Sequence, residues 1–157
     1  IKKENKEEKI ARNQYKIILT ESKKFINDYN FFKEKNYNTS FEVISIFIII
    51  NIRKNLLNKN RKKFSKVNDE LVSTFISDLD ESLREKGIGD MSIGKYVKSY
   101  VKKFYFRISK FPSMTNFDIN DEFIDYLKMI NLIENDDYAN VSRIFNDRLK
   151  KFINSVH

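Results

Sequence analysis

Few side chains in this sequence are suited to catalysis or to holding a metal ion. Cysteine is absent, and the single histidine, His157, is the last residue. The carboxylates Asp78, Glu81 and Glu85 share one face of a predicted helix. Metal centres in helical bundles also use Glu-x-x-His motifs, which this sequence lacks. We therefore expect these carboxylates to be solvated or ion-paired, and we predict no catalytic residue, no metal site and no cofactor.

The three glycines of the chain, Gly87, Gly89 and Gly94, lie close together and superficially resemble a phosphate-binding loop. Such a loop has the spacing GxGxxG or ends in Gly-Lys-Ser/Thr, and it follows a β-strand. Neither spacing occurs here, and the residues before Gly87 have helical periodicity. The sequence therefore argues against nucleotide binding, and we expect no small-molecule substrate.

Basic residues form two clusters that contain no acidic residue. The chain has 30 Lys and Arg against 22 Asp and Glu, a net charge of +8, although an AT-rich genome would also favour Lys. Basic surfaces bind nucleic acid, ribosomes, anionic lipid or acidic proteins. The predicted partner-binding residues are Arg53, Arg61, Lys62 and Lys63 in the first cluster and Lys95, Lys98, Lys102 and Arg107 in the second.

Aromatic residues alternate with the second basic cluster, as in surfaces that bind single-stranded nucleic acid. Helical spacing assigns Phe104 to a core stripe with Ile93, Val97, Val101 and Ile108, and it leaves Tyr96, Tyr100 and Phe106 for the surface. Two interpretations stay open at this point. One is core packing behind a solvated basic face, and the other is RNA binding through stacking and phosphate contacts.

The elements that position these residues are predicted to be helices. Three glycines and one proline are too few for a fold built on tight turns. We predict an all-α fold, a single compact domain of about six helices with short loops. Residues 1–38 are expected to form N-terminal helical segments, partly frayed, and residues 39–157 the main helical domain. The predicted helices contain Ile10, Phe41, Leu71, Ile93, Phe123 and Val141. The fifth is expected to start between Asp118 and Asp121, and the sixth near Tyr138, with an apolar side made of Val141, Ile144, Phe145, Leu149, Phe152 and Ile153.

Side chains that cap helices predict several boundaries. Thr39 and Glu42 fit a capping box at the start of the most apolar helix. Asn68 or Asp69 can cap the next helix. An interruption of the first helix is expected near Thr20.

The most apolar segment, residues 41–57, is predicted to be a buried helix. Its apolar run is about half of the roughly 20 residues that a membrane span needs. We therefore expect no transmembrane span, and no signal-peptide pattern is present. The predicted apolar stripe of this helix is Phe41, Ile44, Ile48, Ile52 and Leu56.

The glycine segment is better explained as a turn between two helices. Gly87 is predicted to end one helix in the left-handed conformation, with Ile88 near Leu83 as in a Schellman motif. Asp90 or Ser92 is expected to cap the following helix.

The two helices that flank this turn are predicted to form an antiparallel hairpin. Gly94 is expected to permit the close approach of another helix. The acidic face before the turn would then approach the basic face after it. The expected ion pairs are Glu81 with Lys98 and Asp78 with Lys102.

Residues 83–95, with the sequence LREKGIGDMSIGK, carry the most distinctive motif of the chain. They resemble the motif of the ubiquinol–cytochrome c chaperone family, the cytochrome b chaperones of mitochondria and their alphaproteobacterial relatives. The resemblance covers residues 39–110 and includes the aromatic pair Phe104-Tyr105 and the apolar helix that ends at Arg53. Relatives often have a histidine in that helix, for which Ser45 is the nearest polar substitute here. The motif residues are Arg84, Gly87, Gly89, Asp90 and Gly94.

The resemblance implies a non-catalytic assembly factor of the cytochrome bc1 complex. Its expected client is cytochrome b or another bc1 subunit, and its expected partners include a small assembly protein and the ribosome. It implies a location at the cytoplasmic face of a bacterial inner membrane or the matrix side of the mitochondrial one, with peripheral contact to anionic lipid. The alternative function is a basic helical protein that binds RNA or the ribosome.

Overall fold

The computed structural model describes residues 3–113 and 121–156, and six α-helices make up their regular structure. The all-α prediction is therefore confirmed. Outside the helices, an isolated antiparallel bridge joins Phe32 to Ile133. The helices are α1 (Lys6–Asp28), α2 (Tyr37–Asn55), α3 (Arg61–Glu85), α4 (Asp90–Lys110), α5 (Asp121–Ile130) and α6 (Tyr138–Val156).

The chain divides into two compact units, each made of two stretches of sequence. Unit 1 comprises residues 1–16 and 52–109, and unit 2 comprises residues 17–51 and 110–157. Helix α3 and nearly all of α4 belong to unit 1, whereas α5 and α6 belong to unit 2. Helices α1 and α2 contribute residues to both units. The boundary expected between residues 38 and 39 stays a prediction.

The core of unit 2 is organised around the ring of Phe25 on α1. The centroid of this ring lies 4.4 Å from that of Phe145 on α6 and 6.3 Å from that of Phe47 on α2. Phe47 packs edge to face against Phe152 of α6 at 5.0 Å. The cluster joins α1, α2 and α6, because its rings come from all three helices. Aromatic pairs at these separations stabilise the fold beyond the burial of their apolar surface.

Helix α2 is buried on nearly every side within unit 2. Between Phe41 and Asn51, only Ile44 is not fully buried. Burial on every side is typical of a helix inside a core, although Glu42, Ser45 and Asn51 are polar members of this segment. The single stripe predicted for this segment is therefore too narrow, and Leu56 at its end is exposed. No helix among the described residues is both long and apolar enough to cross a membrane.

The core of unit 1 depends on the apolar stripe of α3. Phe75 of α3 packs edge to face against Phe104 of α4, with ring centroids 5.1 Å apart. The ring of Tyr15 on α1 lies 6.4 Å from that of Phe75. These contacts join α3 to α1 and to α4. The residues of the stripe that are fully buried are Leu71, Phe75, Leu79 and Leu83.

Three buried amide side chains form a closed hydrogen-bond cluster in unit 1. Asn55 Nδ2 donates to Gln14 Oε1 at 2.9 Å and to Asn68 Oδ1 at 2.8 Å. Gln14 Nε2 donates back to Asn55 Oδ1 at 3.0 Å, and Asn68 Nδ2 donates to the carbonyl of Ile52 at 3.2 Å. Buried amides are costly unless their hydrogen bonds are made, and in this cluster they are.

Helix α3 begins earlier than predicted, because Asn60 caps it instead of Asn68 or Asp69. The side-chain oxygen of Asn60 accepts a hydrogen bond from the amide of Lys63 at 3.2 Å. Residues 61–68 therefore continue the helix, and Asn68 lies in its interior. Most of the first basic cluster is thus helical.

Two predictions about α1 and α2 are also wrong. Helix α1 runs without interruption through Thr20. Helix α2 is capped by Asn36, whose Oδ1 accepts from the amide of Thr39 at 3.0 Å. Thr39 itself lies inside the helix, and its hydroxyl donates to the carbonyl of Glu34 at 2.6 Å. The predicted capping box is therefore not formed, because an equally suitable cap stands three residues earlier.

The last two helices agree with the sequence. Helix α6 begins at Tyr138 as predicted, and it buries Val141, Phe145 and Leu149 of its apolar stripe. Helix α5 begins at Asp121, within the predicted range of start positions. Asp118, the first position of that range, lies outside the described residues.

Candidate partner-binding surface

The turn between α3 and α4 forms as the glycines predict. Gly87 has a φ of 91°, in the left-handed region that glycine adopts without strain. The amide of Ile88 donates to the carbonyl of Leu83 at 3.2 Å, and the amide of Gly87 donates to the carbonyl of Arg84 at 3.0 Å. These two hydrogen bonds define a Schellman motif, so that prediction is confirmed.

Arg84 connects the last turn of α3 to the first turn of α4. Its guanidinium donates to Asp80 at 2.7 Å and also to Asp90 across the turn. Hydrogen bonds to Asp80 and then to Asp90 raise the pKa of Arg84 above its ordinary value, so its charge is permanent. Because all three side chains are exposed, the pairs align the turn more than they stabilise the fold.

The sequence predicts that Asp90 or Ser92 caps helix α4, but neither does so in the structure. The carbonyl of Gly89 accepts hydrogen bonds from the amides of Ser92 and Ile93, both at 3.0 Å, so Gly89 precedes the first helical residue. The Asp90 carboxylate pairs with Arg84 instead. It still lies in the first turn, where a negative charge is favoured by the helix dipole.

Helix α4 leaves most of its surface uncovered. Only Ile93 and Phe104 of its 21 residues are buried. Val97, Val101 and Ile108, which were predicted to complete its core stripe, are only half-buried. We call the side of the helix that faces away from these residues the outer face of α4. Its members are exposed and span an arc of about 100° on a helical projection; they are Met91, Lys95, Lys98, Lys102, Tyr105 and Phe106.

Three of the predicted basic residues share this outer face. Lys95, Lys98 and Lys102 follow one another at helical spacing, and none of them is ion-paired among the described residues. Arg107 does not join them, because it follows Lys102 by five residues and so points about 140° away. It is half-buried and lies over the ring of Phe106, 5.8 Å from its centroid.

The ion pairs expected between α3 and α4 are absent from the described residues. Asp78 accepts a hydrogen bond from the hydroxyl of Tyr15 at 2.5 Å and does not pair with Lys102. Glu81 is exposed and does not pair with Lys98. The lysines of the outer face therefore remain available to an anionic partner. No group of three or more metal-ligating side chains occurs in the part of the chain that the structure describes.

The aromatic residues of α4 divide between core and surface. Phe104 is buried, as predicted, while Tyr96 and Phe106 are exposed. Tyr100 is half-buried, with the ammonium of Lys103 5.9 Å from its ring centroid. Tyr105, with 53% of its surface exposed, belongs to the outer face and was not predicted there. Its spacing of three from Lys102 and seven from Lys98 could have shown this.

Gly94 does not provide a close helix contact within the chain. A Cβ atom built at this position would meet no other atom within 4 Å. The expectation of a close approach is therefore wrong for the described structure. A glycine in an exposed helical position lowers the stability of the helix relative to alanine, and no packing contact at Gly94 requires a glycine there.

The residues of the first basic cluster lie at the end of α2 and in the first turn of α3. Arg61 and Lys62 are exposed, whereas Arg53 and Lys63 are half-buried. Cations at the start of a helix oppose its dipole, and α3 has no acidic residue in its first turn. Between the two helices, Leu57 has 71% of its surface exposed. This segment thus combines positive charge with exposed apolar surface.

Charge and apolar exposure are both concentrated in unit 1. Unit 1 has 20 Lys and Arg against 10 Asp and Glu, a net charge of +10, whereas unit 2 has 10 against 12, a net charge of −2. Among the described residues, Met129 is the only large exposed hydrophobic side chain of unit 2. The others belong to unit 1 and are Leu56, Leu57, Met91, Tyr96, Tyr105 and Phe106.

Comparison with known families identifies the chain. The sequence profile described as "Ubiquinol-cytochrome C chaperone" matches residues 31–124, which is more than half of the chain and includes the glycine motif. The protein therefore belongs to the ubiquinol–cytochrome c chaperone family, and this membership implies a chaperone role in bc1 assembly with a protein as client. Neither the curated proteins nor the solved structures gave a match.

Proposed function

We propose that this protein is a non-catalytic assembly factor that binds cytochrome b, or a similar subunit of the bc1 complex, through the outer face of α4. Family membership supports the assembly role. The observation that supports the surface is the low burial of α4, an amphipathic helix whose outer-face side chains are all exposed. Exposed apolar patches rimmed by polar groups are typical of protein interaction sites.

The two kinds of side chain on this face have different tasks. Met91, Tyr105 and Phe106 supply apolar contact area, and methionine adapts to partners of irregular shape. Lys95, Lys98 and Lys102 attract carboxylates of a client or assembly partner and speed the encounter. Binding of this kind requires no reaction, so we assign the protein no catalytic residue.

A charge reversal on the outer face tests this assignment. The variant Lys98→Glu/Lys102→Glu should lower the recovery of cytochrome b in a pull-down by at least about tenfold, because like charges then meet across the interface. Both side chains are exposed, so the free energy of unfolding should change by less than about 0.5 kcal/mol.

The matched control is Lys24→Glu/Lys151→Glu, which alters net charge equally but changes exposed lysines of unit 2. It should leave the recovery of cytochrome b unchanged. Normal recovery with the α4 variant, or an equal loss with the control, would contradict the proposed surface.

We place the first basic cluster against an anionic membrane surface, where a bc1 subunit is inserted. Basic residues near such a surface gain about 1 kcal/mol each. The exposed Leu56 and Leu57, flanked by Lys54 and Lys59, can enter the headgroup region. This arrangement supports a peripheral location at the cytoplasmic or matrix face of the membrane.

Vesicle sedimentation tests the membrane contact. The protein should bind vesicles containing phosphatidylglycerol and should not bind vesicles of phosphatidylcholine alone. Leu57→Ser should weaken the binding, whereas Met129→Ser, which changes the exposed apolar residue of unit 2, should not. Equal binding to both kinds of vesicle would remove the electrostatic part of the proposal.

The exposed aromatics of α4 favour a second candidate function, binding of single-stranded or ribosomal RNA. Tyr96, Tyr105 and Phe106 offer rings for stacking beside the lysines of the outer face. Three phosphate contacts would give a slope of about −2 for log affinity against log salt concentration. Salt-independent or absent RNA binding would exclude this function.

A further inference from the structure

Unit 2 contains a groove that the proposed docking through unit 1 does not use. Residues of α1, of the segment that follows it and of α2 surround a cavity of about 410 Å³. This volume lies in the range of pockets that hold small molecules, about 300–1,000 Å³. The side chains around it are Leu19, Ser22, Lys23, Ile26, Asn27, Lys35, Ser40 and Ile44.

The apolar part of the groove is supplied by both helices. Leu19 and Ile26 of α1 and Ile44 of α2 line it, and Ile44 is the one residue of the α2 core segment that is not fully buried. Side chains of this type bind an alkyl chain through burial of its surface, at about 25 cal/mol per Å². A protein partner usually buries about 800 Å² of surface on each side of an interface. A cavity of about 410 Å³ provides much less surface than that.

Ser22 provides a polar group inside this apolar surface. Only 1% of its surface is exposed, and its Oγ makes no hydrogen bond in the structure. A buried hydroxyl without a partner costs roughly 1–3 kcal/mol. Ser22 lines the groove, and a ligand oxygen that reaches its Oγ would remove this cost.

Two lysines give the groove a positive rim. Lys23 and Lys35 are exposed, and neither is ion-paired among the described residues. No carboxylate lines the groove. The N-terminus of α2 is close in sequence to Lys35, and its first turn contains no acidic residue; the carboxylate of Glu34 lies at this terminus and accepts a hydrogen bond from Asn36 Nδ2 at 2.7 Å. The rim therefore attracts an anionic group.

We propose that the groove of unit 2 binds a long-chain carboxylate, such as a fatty acid. The alkyl chain lies along Leu19, Ile26 and Ile44, the carboxylate is held by Lys23 and Lys35, and the Ser22 hydroxyl donates to a carboxylate oxygen. This site is separate from the outer face of α4 and does not depend on the proposed function.

Displacement of a fluorescent fatty acid tests the ligand class on the full chain. Cis-parinaric acid should bind with a stoichiometry of one, and palmitate should displace it at least about tenfold better than hexadecanol, which has the same chain without the charge. Equal displacement by palmitate and hexadecanol overturns the role of the cations. Failure of the wild-type protein to bind cis-parinaric acid overturns the site.

Paired lysine variants test the rim. Lys23→Ala/Lys35→Ala should weaken palmitate binding by about tenfold or more. The control Lys24→Ala/Lys33→Ala removes neighbouring exposed lysines that do not line the groove, and it should bind palmitate normally. Equal effects of the two double variants contradict the proposed position of the carboxylate.

Substitutions at Ser22 and Ile44 separate binding from folding. Ser22→Ala should weaken palmitate binding while the melting temperature stays the same or rises, because an unpaired buried hydroxyl is removed. Unchanged affinity with a lower melting temperature would show that Ser22 is only structural. Ile44→Trp should fill the groove and abolish binding while the helical circular dichroism is kept. Retained binding by this folded variant rules out the groove.

Discussion

Unit 1 and unit 2 are both helical, but they place polar and apolar groups in opposite ways. In unit 1 the buried amides of Gln14, Asn55 and Asn68 satisfy one another, while large apolar side chains remain on the surface. In the described part of unit 2, Met129 is the only large apolar side chain that is exposed, and the unpaired polar atoms lie inside, as at Ser22 and Ser142.

The difference separates internal stability from recognition. A unit with a satisfied interior, a net charge of +10 and exposed Met, Tyr and Phe side chains is suited to bind other molecules at its surface. A unit with a dense aromatic core and a net charge of −2 is suited to stabilise the fold. Its buried polar atoms without hydrogen bonds could bind the polar groups of a ligand. Helices α4 and α6 show the contrast most directly, since both are amphipathic but α6 buries seven of its residues and α4 only two.

The same truncation should have very different effects on these two helices. Phe145→Ala removes a ring at the centre of the unit 2 core and should lower the free energy of unfolding by about 3–5 kcal/mol. Phe106→Ala removes a half-exposed ring of α4 and should cost less than about 0.5 kcal/mol. Urea denaturation measures both values, and a large loss for Phe106→Ala would mean that the outer face is part of the core.

Buried polar groups should show the opposite contrast. Asn55→Ala removes the hydrogen bonds that Asn55 makes with Gln14 and Asn68 in unit 1 and should cost about 1–3 kcal/mol. Ser142→Ala removes an unpaired hydroxyl from unit 2 and should be neutral or slightly stabilising. Thermal unfolding followed by circular dichroism gives the ranking, and a costly Ser142→Ala would contradict the difference between the units.

A third comparison concerns two glycines within unit 1, and neither substitution should change the free energy of unfolding by more than about 2 kcal/mol. Gly87→Ala places a side chain at a positive φ and should destabilise the protein by about 1–2 kcal/mol. Gly94→Ala adds a methyl group in open space on a helix and should stabilise it by about 1 kcal/mol. Should Gly94→Ala also weaken client binding, the glycine would serve the interface. A destabilising Gly94→Ala would mean that the outer face is covered within the chain.

Helical periodicity was sufficient to predict the fold class and the buried stripe of α6. It also placed Lys95, Lys98 and Lys102 together, since their spacing fixes their direction on any helix. Periodicity did not fix the helix starts of α2 and α3, because several Asn, Asp, Ser and Thr residues near each of them can act as caps. Asn36 and Asn60 were therefore missed in favour of later residues.

Other features depend on tertiary structure and left no signal in the sequence. The half-burial of Val97, Val101 and Ile108 is decided by how little of α4 is covered, which the periodicity of the helix does not reveal. The groove around Ser22 needs the packing of α1 beside α2. The expected ion pair of Asp78 with Lys102 is not formed. The Asp78 carboxylate instead accepts a hydrogen bond from Tyr15, which is far away in sequence.

The bridge between Phe32 and Ile133 has a consequence for the order of folding. It pairs the segment after α1 with the segment after α5, and the amide of Lys33 donates to the carbonyl of Leu132 at 2.8 Å. Unit 2 cannot close until residue 133 has been synthesised, whereas all residues of unit 1 are present once residue 109 has been made. On the ribosome, where chains fold from the N-terminal side, the basic helices of unit 1 are complete while the partners of Phe25 on α6 are still missing.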